Sequence, residues 1–379
     1  MGAAIAAIII LLLIIWIVLS CIKIVPQAHA YVIERLGAYQ ATWSTGIHFK
    51  VPFIDRIFEN ANMQRSLNNT MKENSKRLMS LDVLRGLTVA GMILVNNSGG
   101  RNTFAPLRHA DWNGLTPCDL VFPFFLFMVG ISTYLSLNKF HFNVSGGVIR
   151  KIFKRTVVIL LIGWAIHWFG NACGGDFFPF DHLRLTGVLP RIAVCYCIVS
   201  LFALYGNHRH TLSIAFLLLI GYAILLLTGN GYINDESNIL AIGDRYLIGE
   251  SHLYTKRPID PEGLVSTIGA IAHTLIGFHC GKLISRTHKT DEKVLQLFLI
   301  GFVITAIGLL FTFALPLNKR IWSPTFVLVT CGLAASLLAL FMYIIDIKGK
   351  KSYYDYETRK EMLEAIMFGH EQIKVLCEF

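Results

Sequence analysis

Long apolar runs alternate with short polar breaks along most of this chain. The runs fall at about 3–22, 83–97, 118–137, 156–170, 185–205, 211–228, 264–284, 294–315 and 325–345. About 20 apolar residues wound as a helix cross the ~30 Å hydrocarbon layer of a bilayer. Inside that layer the backbone must satisfy its own hydrogen bonds, so helices and closed barrels are the possible solutions. Continuous runs without the alternation of barrel strands predict an all-α, multi-pass transmembrane bundle of about nine helices. After the first helix, the text up to residue 59 mixes apolar and polar positions, which predicts a short mixed cytoplasmic segment. Residues 60–76 are polar and Asn-rich, the composition of a linker. The main bundle then occupies 77–348, and 349–379 form a cytoplasmic tail in which Met362, Ile366 and Ile373 have helical spacing.

Composition agrees with the pattern. The chain is 54% hydrophobic with a mean hydropathy of +0.56, outside the range of a soluble two-domain protein. Its net charge of +10 raises the question of nucleic acid, but the basic residues lie in alternate connections. They gather at Lys72–Arg77, Arg150–Arg155, Arg286–Lys289 and Lys348–Lys351, while the intervening connections carry Asp176, Asp181, Asp235, Glu236, Asp244, Asp260 and Glu262. That alternation is the positive-inside pattern. It predicts a protein of the cell (inner) membrane with its N-terminus outside, its C-terminus cytoplasmic and residues 98–116 on the outer face. The first run has no basic leader and reads as an uncleaved anchor. The eight cysteines lie mostly in apolar runs and show no metal-ligand spacing, so neither a metal nor a disulfide framework is expected.

His109 is the leading candidate for chemistry, in the polar stretch Arg108-His109-Ala110-Asp111-Trp112-Asn113-Gly114 between two spans. A neutral imidazole accepts a proton or attacks an acyl carbon at neutral pH; the alternative is a solvated loop histidine beside Trp112. Asn96, at the end of the preceding helix, offers an amide to orient the imidazole or to stabilise an oxyanion, or simply terminates the helix before Gly99-Gly100. Asp82 and Arg85 share one helical face. Arg191 is a charge inside an apolar run, costly unless partnered. Asp119 in Thr116-Pro117-Cys118-Asp119 reads as part of a capping box and is discounted as a chemical group. Asp260 and Glu262 precede a helix, where they either contact sugar hydroxyls or amines or complement the helix dipole. His167, His273 and His279 read as satisfied core residues. No array of basic and aromatic residues for nucleic acid is visible.

Ser80-Leu81-Asp82-Val83-Leu84-Arg85-Gly86, the His109 stretch and Cys118-Asp119-Leu120-Val121-Phe122-Pro123-Phe124 together resemble the heparan-α-glucosaminide N-acetyltransferase family. Gly187–Ile192, Asp260–Leu264 and Asn318-Lys319-Arg320-Ile321-Trp322-Ser323 follow in the family's order, and the family's later helices are missing. The resemblance implies a transmembrane acyltransferase moving an acetyl group from cytoplasmic acetyl-CoA to an amino sugar on the outer face, without a metal. It makes His109 the acetyl carrier or base and Asn96 its partner. Arg85, Lys154, Arg155 and Arg191 become contacts to the coenzyme, and Asp260, Glu262 and Trp112 contacts to the acceptor. The expected partners are membrane lipid and the amino sugar, with a homodimer possible and no nucleic acid. The two ends resemble other families. Residues 1–57 are similar to the start of a stomatin/prohibitin-type scaffold, including Val51-Pro52-Phe53-Ile54-Asp55-Arg56. Residues 357–379 are similar to a helix of polynucleotide phosphorylase. The chain therefore reads as chimeric, and a scaffold or a sugar or acyl transporter are the alternative functions.

Overall fold

In the computed structural model, the described residues are five strands within 22–59 and the segments 78–97, 103–254, 257–287 and 289–348. The apolar run at 3–22, apart from Ile22, the linker and the tail after 348 lie outside them. The chain divides into two compact units at Arg77/Leu78.

In the first unit β1 (Ile22–Val25) pairs antiparallel with β4 (Gly46–Phe49). β2 (Tyr31–Arg35) lies between β3 (Ala38–Trp43) and β5 (Asp55–Glu59), antiparallel to both. Five short strands thus fall within the predicted mixed segment, and Ile33 on β2 is buried.

The second unit is helical. Its α-helices are α1 (Met79–Asn96), α2 (Val121–Asn138), α3 (Gly146–Cys173), α4 (Val188–Tyr205), α5 (Thr211–Thr228), α6 (Ile239–Ile248), α7 (Thr267–Arg286), α8 (Thr290–Phe311) and α9 (Pro324–Phe341). All but α6 are long and apolar enough to span a membrane, which gives eight candidate spans among the described residues. The all-α multi-pass bundle expected from hydropathy is thus observed. Two details differ from expectation. Arg150, Lys151, Lys154 and Arg155 are not in a connection but in the first turns of α3. At 28 residues this helix is about 42 Å long and outreaches the ~30 Å hydrocarbon layer. Asp244 likewise lies not in a loop but in α6, whose ten residues are too few to register as a span.

Close backbone approach decides which helices are central. Along α2 and α7, which run parallel, Gly130 meets Thr274 and Phe278, and Gly277 meets Phe127. A Cβ on Gly130 would stand 2.1 Å from the Thr274 carbonyl oxygen, and one on Gly277 would stand 2.2 Å from that of Phe127. Lipid tails are as apolar as leucine, so helices in a bilayer associate through such packing, and small residues permit it. Gly277 and Gly281 have the four-residue spacing that places both on this seam. Gly301 and Gly332 make the same kind of contact between α8 and α9. The spans of α2, α7 and α9 are accordingly 61–72% buried, whereas those of α1, α3, α5 and α8 are 11–28% buried and present Leu, Ile, Val and Phe outward.

Alternation of direction sets the two ends of the bundle apart. At the end where α2, α4, α7 and α9 begin, the connections are long (97–120, 174–187, 229–266 and 312–323); at the other they are short. The long connections carry the polar chemistry. Gly130→Leu or Gly277→Leu should abolish the folded protein in detergent size-exclusion chromatography. Gly221→Leu on α5, where an added Cβ meets nothing within 4 Å, should elute as the parent does.

Candidate functional site

The loop-rich end is organised around Asp119. Thr116 and Asp119 form the expected capping box, and Pro117 opens the turn Pro117–Leu120 that leads into α2. The discounted acid does more than cap. Its Oδ2 accepts from the backbone N–H groups of Thr116 and Ala110, each at 3.2 Å, and lies 2.9 Å from the Thr116 hydroxyl. That hydroxyl has one proton and is also 2.8 Å from the Arg108 carbonyl, so it serves one acceptor at a time. Oδ1 faces the other way, 2.7 Å from His109 Nδ1 and 3.1 Å from Lys319 Nζ.

This set of donors fixes the proton inventory. A carboxylate surrounded by N–H groups and an ammonium is an acceptor only, so His109 donates its Nδ1–H to Asp119, and in the neutral ring the lone pair is then on Nε2. Lys319 Nζ lies 3.1 Å from the same Nδ1, but with that nitrogen protonated its hydrogen bond goes to Asp119. The Cys118 thiol packs against the ring, 3.0 Å from Nδ1 and 3.6 Å from Nε2. The side chain of His109 is 55% exposed and that of Asp119 1%. A reachable imidazole is thus held by a buried anion.

Lys319 comes from the connection before α9, and local chemistry places it. Asn318 Oδ1 accepts from the N–H groups of Arg320 and Ile321, and Ser323 Oγ accepts from those of Asn318 and Phe326. Trp322 takes φ of +52°, a strained conformation for a bulky residue. It is held there by burial against Phe122 and Phe326. The connection is tied to the histidine loop by Gly114 N–H to the Leu317 carbonyl at 2.7 Å and by Asn318 Nδ2 to Asn113 Oδ1 at 3.2 Å.

A second polar cluster lies at the same end. Arg184 donates to Asp260 Oδ1 at 2.6 Å and to Glu262 Oε2 at 2.7 Å, and its guanidinium stacks over Tyr254. Thr186 Oγ1 and the Tyr254 N–H donate to Asp260 Oδ2, and the Glu262 N–H to Oδ1, so the acceptor positions of Asp260 are filled. Burial opposes ionisation of Asp260, but the Arg184 charge and these donors outweigh it and hold its carboxyl below the usual range. Arg191, 2% exposed, donates to the Gly263 carbonyl at 2.8 Å and to Ser266 Oγ, and lies over the Trp322 ring. Its Nε and Nη1, Trp322 Nε1, Tyr232 OH and Asp244 Oδ2 are buried without a hydrogen-bond partner among the described residues. Asp244, Glu236, Arg245, Glu250 and Arg257 line a cavity of about 360 Å³.

The expected residues are thus distributed unevenly. His109, Trp112, Arg191, Asp260 and Glu262 are at the loop-rich end. Trp112 donates Nε1–H to the Tyr232 carbonyl and packs on the small core of Tyr222, Leu226 and Leu240. Arg85, Lys154 and Arg155 lie in the other half. Arg85 pairs with Asp82 at 3.1 Å and donates to Ser132, while Arg155 stacks over Tyr196. The four residues expected to meet one coenzyme are therefore split, with Arg191 on the side of His109. Asn96 ends α1 exposed; the imidazole's partners among the described residues are Asp119, Cys118 and Lys319. His273 is buried as expected, but both ring nitrogens are unbonded among the described residues. Sequence reasoning missed Lys319 as a site residue, although its motif was visible.

Fold and site define a multi-pass helical membrane protein with a histidine–aspartate pair at one end of its bundle. The chain belongs to the family described as heparan-alpha-glucosaminide N-acetyltransferase, catalytic, whose model matches residues 77–309. It is 29% identical over 336 residues to the heparan-alpha-glucosaminide N-acetyltransferase of Homo sapiens, covering 72% of this chain and 49% of that protein. Against the Mus musculus protein of the same name it is 27% identical over 339 residues, covering 74% and 51%. The chain thus spans about half the length of the curated relatives it matches.

Asp244 gives this region a pH signature. Burial pushes its carboxyl up to about 6, against the hydrogen bond from the Val265 N–H. The unfolded chain ionises near the ordinary carboxylate value, so stability falls as pH rises from about 4 through about 6 and then levels. Asp244→Asn should raise the melting temperature in detergent at pH 7.5, with the gain shrinking towards pH 4.5. A pH-independent difference between the two proteins would contradict this.

Proposed function

We propose that this chain is a transmembrane acyltransferase moving the acetyl group of acetyl-CoA to an amino sugar, with His109 at the centre of transfer. The observation that carries the reading is the 2.7 Å contact between the half-exposed imidazole and buried Asp119. With Nδ1 committed to Asp119, Nε2 is the nitrogen left to act as base, with only the weak Cys118 thiol beside it at 3.6 Å, and this is the tautomer that acyl transfer requires. Two routes use that lone pair. As base, Nε2 takes the proton of the sugar amine while nitrogen attacks the thioester carbonyl, and the proton then goes to the departing CoA thiolate. As carrier, Nε2 itself attacks, the C–S bond breaks and the thiolate takes a proton from solvent; in a second step the amine attacks the acetyl carbon, the bond to Nε2 breaks and the amine's proton is released to solvent. In both, imidazole gains positive character that the Asp119 carboxylate offsets. Lys319 positions that carboxylate, and Asn96 supports the oxyanion.

By the alternation of basic connections, the loop-rich end faces outward and the end with short connections faces the cytoplasm. The protein then lies in the cell membrane with its C-terminus cytoplasmic. Arg85, Lys154 and Arg155 meet the coenzyme from the cytoplasmic half. Arg191 offers its unbonded Nε and Nη1 near the acetyl end. Glu262 and Trp112 face the acceptor, and Asp260 shapes that site through Arg184. A dimer in membrane lipid, without nucleic acid, completes the reading. The reading rests on the bundle and assigns no role to residues 1–57 or 357–379.

The test is transfer from labelled acetyl-CoA to glucosamine by the detergent-solubilised protein. His109→Ala should lower the rate by about 10²–10⁴. Asp119→Asn should lower kcat with little change in KM, because it misdirects the tautomer rather than binding. Transfer in His109→Ala equal to that of the parent would remove His109 from the mechanism.

A further inference from the structure

His109, Cys118 and Asp119 bring three different metal-ligand atoms together. Nδ1, Sγ and a carboxylate oxygen lie within 4.8 Å of one another, two of them buried and the third on a half-exposed ring. A positive charge already occupies the neighbourhood: Lys319 Nζ is 3.1 Å from both His109 Nδ1 and Asp119 Oδ1. We propose that this cluster is a site for a thiophilic divalent cation, Zn²⁺ being the fitting class, which enters in place of the lysine ammonium and closes the transfer site. The closure, though not the binding, rests on the function proposed above.

The charge balance favours such an exchange. In the lysine-held state the cluster contains one carboxylate, one ammonium and a neutral thiol. When the cation binds, the Cys118 thiol gives its proton to solvent, the ammonium swings away on its flexible stem, and the two positive charges of the ion meet one carboxylate and one thiolate. The buried site is neutral before and after, so the low-dielectric penalty for an unpaired ion is avoided. The donor set of imidazole, thiolate and carboxylate suits zinc in tetrahedral geometry, with the fourth position left to water. Bonds of about 2.0–2.3 Å require ligand atoms about 3.4–3.6 Å apart. The present 2.7 Å and 3.0 Å separations from Nδ1 therefore have to open by roughly half an ångström. The His109 side chain is 55% exposed, so turning the ring opens these distances without repacking the core.

Closure follows from the tautomer. A metal on Nδ1 needs that nitrogen's lone pair, so the ring proton moves to Nε2. Nε2 then has no pair with which to take a proton or attack a thioester. The same ion consumes the Asp119 oxygen that otherwise supports the imidazole.

Cobalt(II) is the probe, titrated into the detergent-purified full chain and read by thiolate-to-cobalt charge-transfer absorption, with Zn²⁺ as competitor. The parent should show the band and lose it to Zn²⁺. Cys118→Ser should lack the band and bind more weakly than the parent, by at least the roughly tenfold that losing an outer partner of a metal ligand already costs. Lys319→Met should bind more tightly, because no ammonium has to leave. Absence of the band in the parent, or an unchanged band in Cys118→Ser, would overturn the proposal. Zn²⁺ should inhibit acetyl transfer in the parent at concentrations that leave Cys118→Ser active. A cobalt band in a protein that transfers no acetyl group without metal would keep the metal site and sink the acyltransferase reading instead.

Discussion

A carboxylate buried where an apolar helix begins must be held by donors, and the loop-rich end of this protein is built to hold one. Asp119 draws one N–H from its own turn, a second N–H and a ring nitrogen from the preceding connection, and an ammonium from a connection 200 residues further along. Leaving one of them out weakens the compensation of a buried charge, at a cost of about 1–5 kcal/mol. That requirement fixes the Thr116 cap, the course of residues 109–116 and the Asn318–Ser323 turn with its strained Trp322. It also commits Nδ1 of His109 and leaves Nε2 with only the weak Cys118 thiol beside it.

The rest of the bundle serves that end by being rigid below it. The glycine seam between α2 and α7 places backbone on backbone, so the helix that begins at Asp119 is locked against the helix that begins beside Ser266. Arg191 joins the two polar clusters: it donates to Gly263 and Ser266 while its guanidinium covers Trp322, two residues before α9. The unbonded polar atoms around it are the kind that water or a substrate group satisfies.

The fold was legible because hydropathy alone decides where a chain can cross a bilayer. The runs read at 211–228 and 118–137 coincide closely with α5 and with Pro117–Asn138. α6 was not legible, since ten amphipathic residues inside a polar connection give too short a signal, and Asp244 was placed in a loop as a result. His109 was found by its surroundings, but its main partner was set aside. Asp119 matched a capping box, and one sufficient explanation hid a second. Its two oxygens do two jobs, with Oδ2 capping and Oδ1 holding the imidazole. Lys319 was invisible as a partner because nothing local couples positions 109 and 319; only the fold brings them within 3.1 Å.

The central claim is that His109 and Asp119 act as one unit, and a double-mutant cycle measures this directly. Acetyl transfer would be compared in the parent, His109→Ala, Asp119→Asn and the combined variant. If the pair is one device, the combined variant is no slower than His109→Ala alone, because an aspartate without its imidazole has nothing left to orient. If the two losses instead multiply, the residues act independently and the account of the site is wrong.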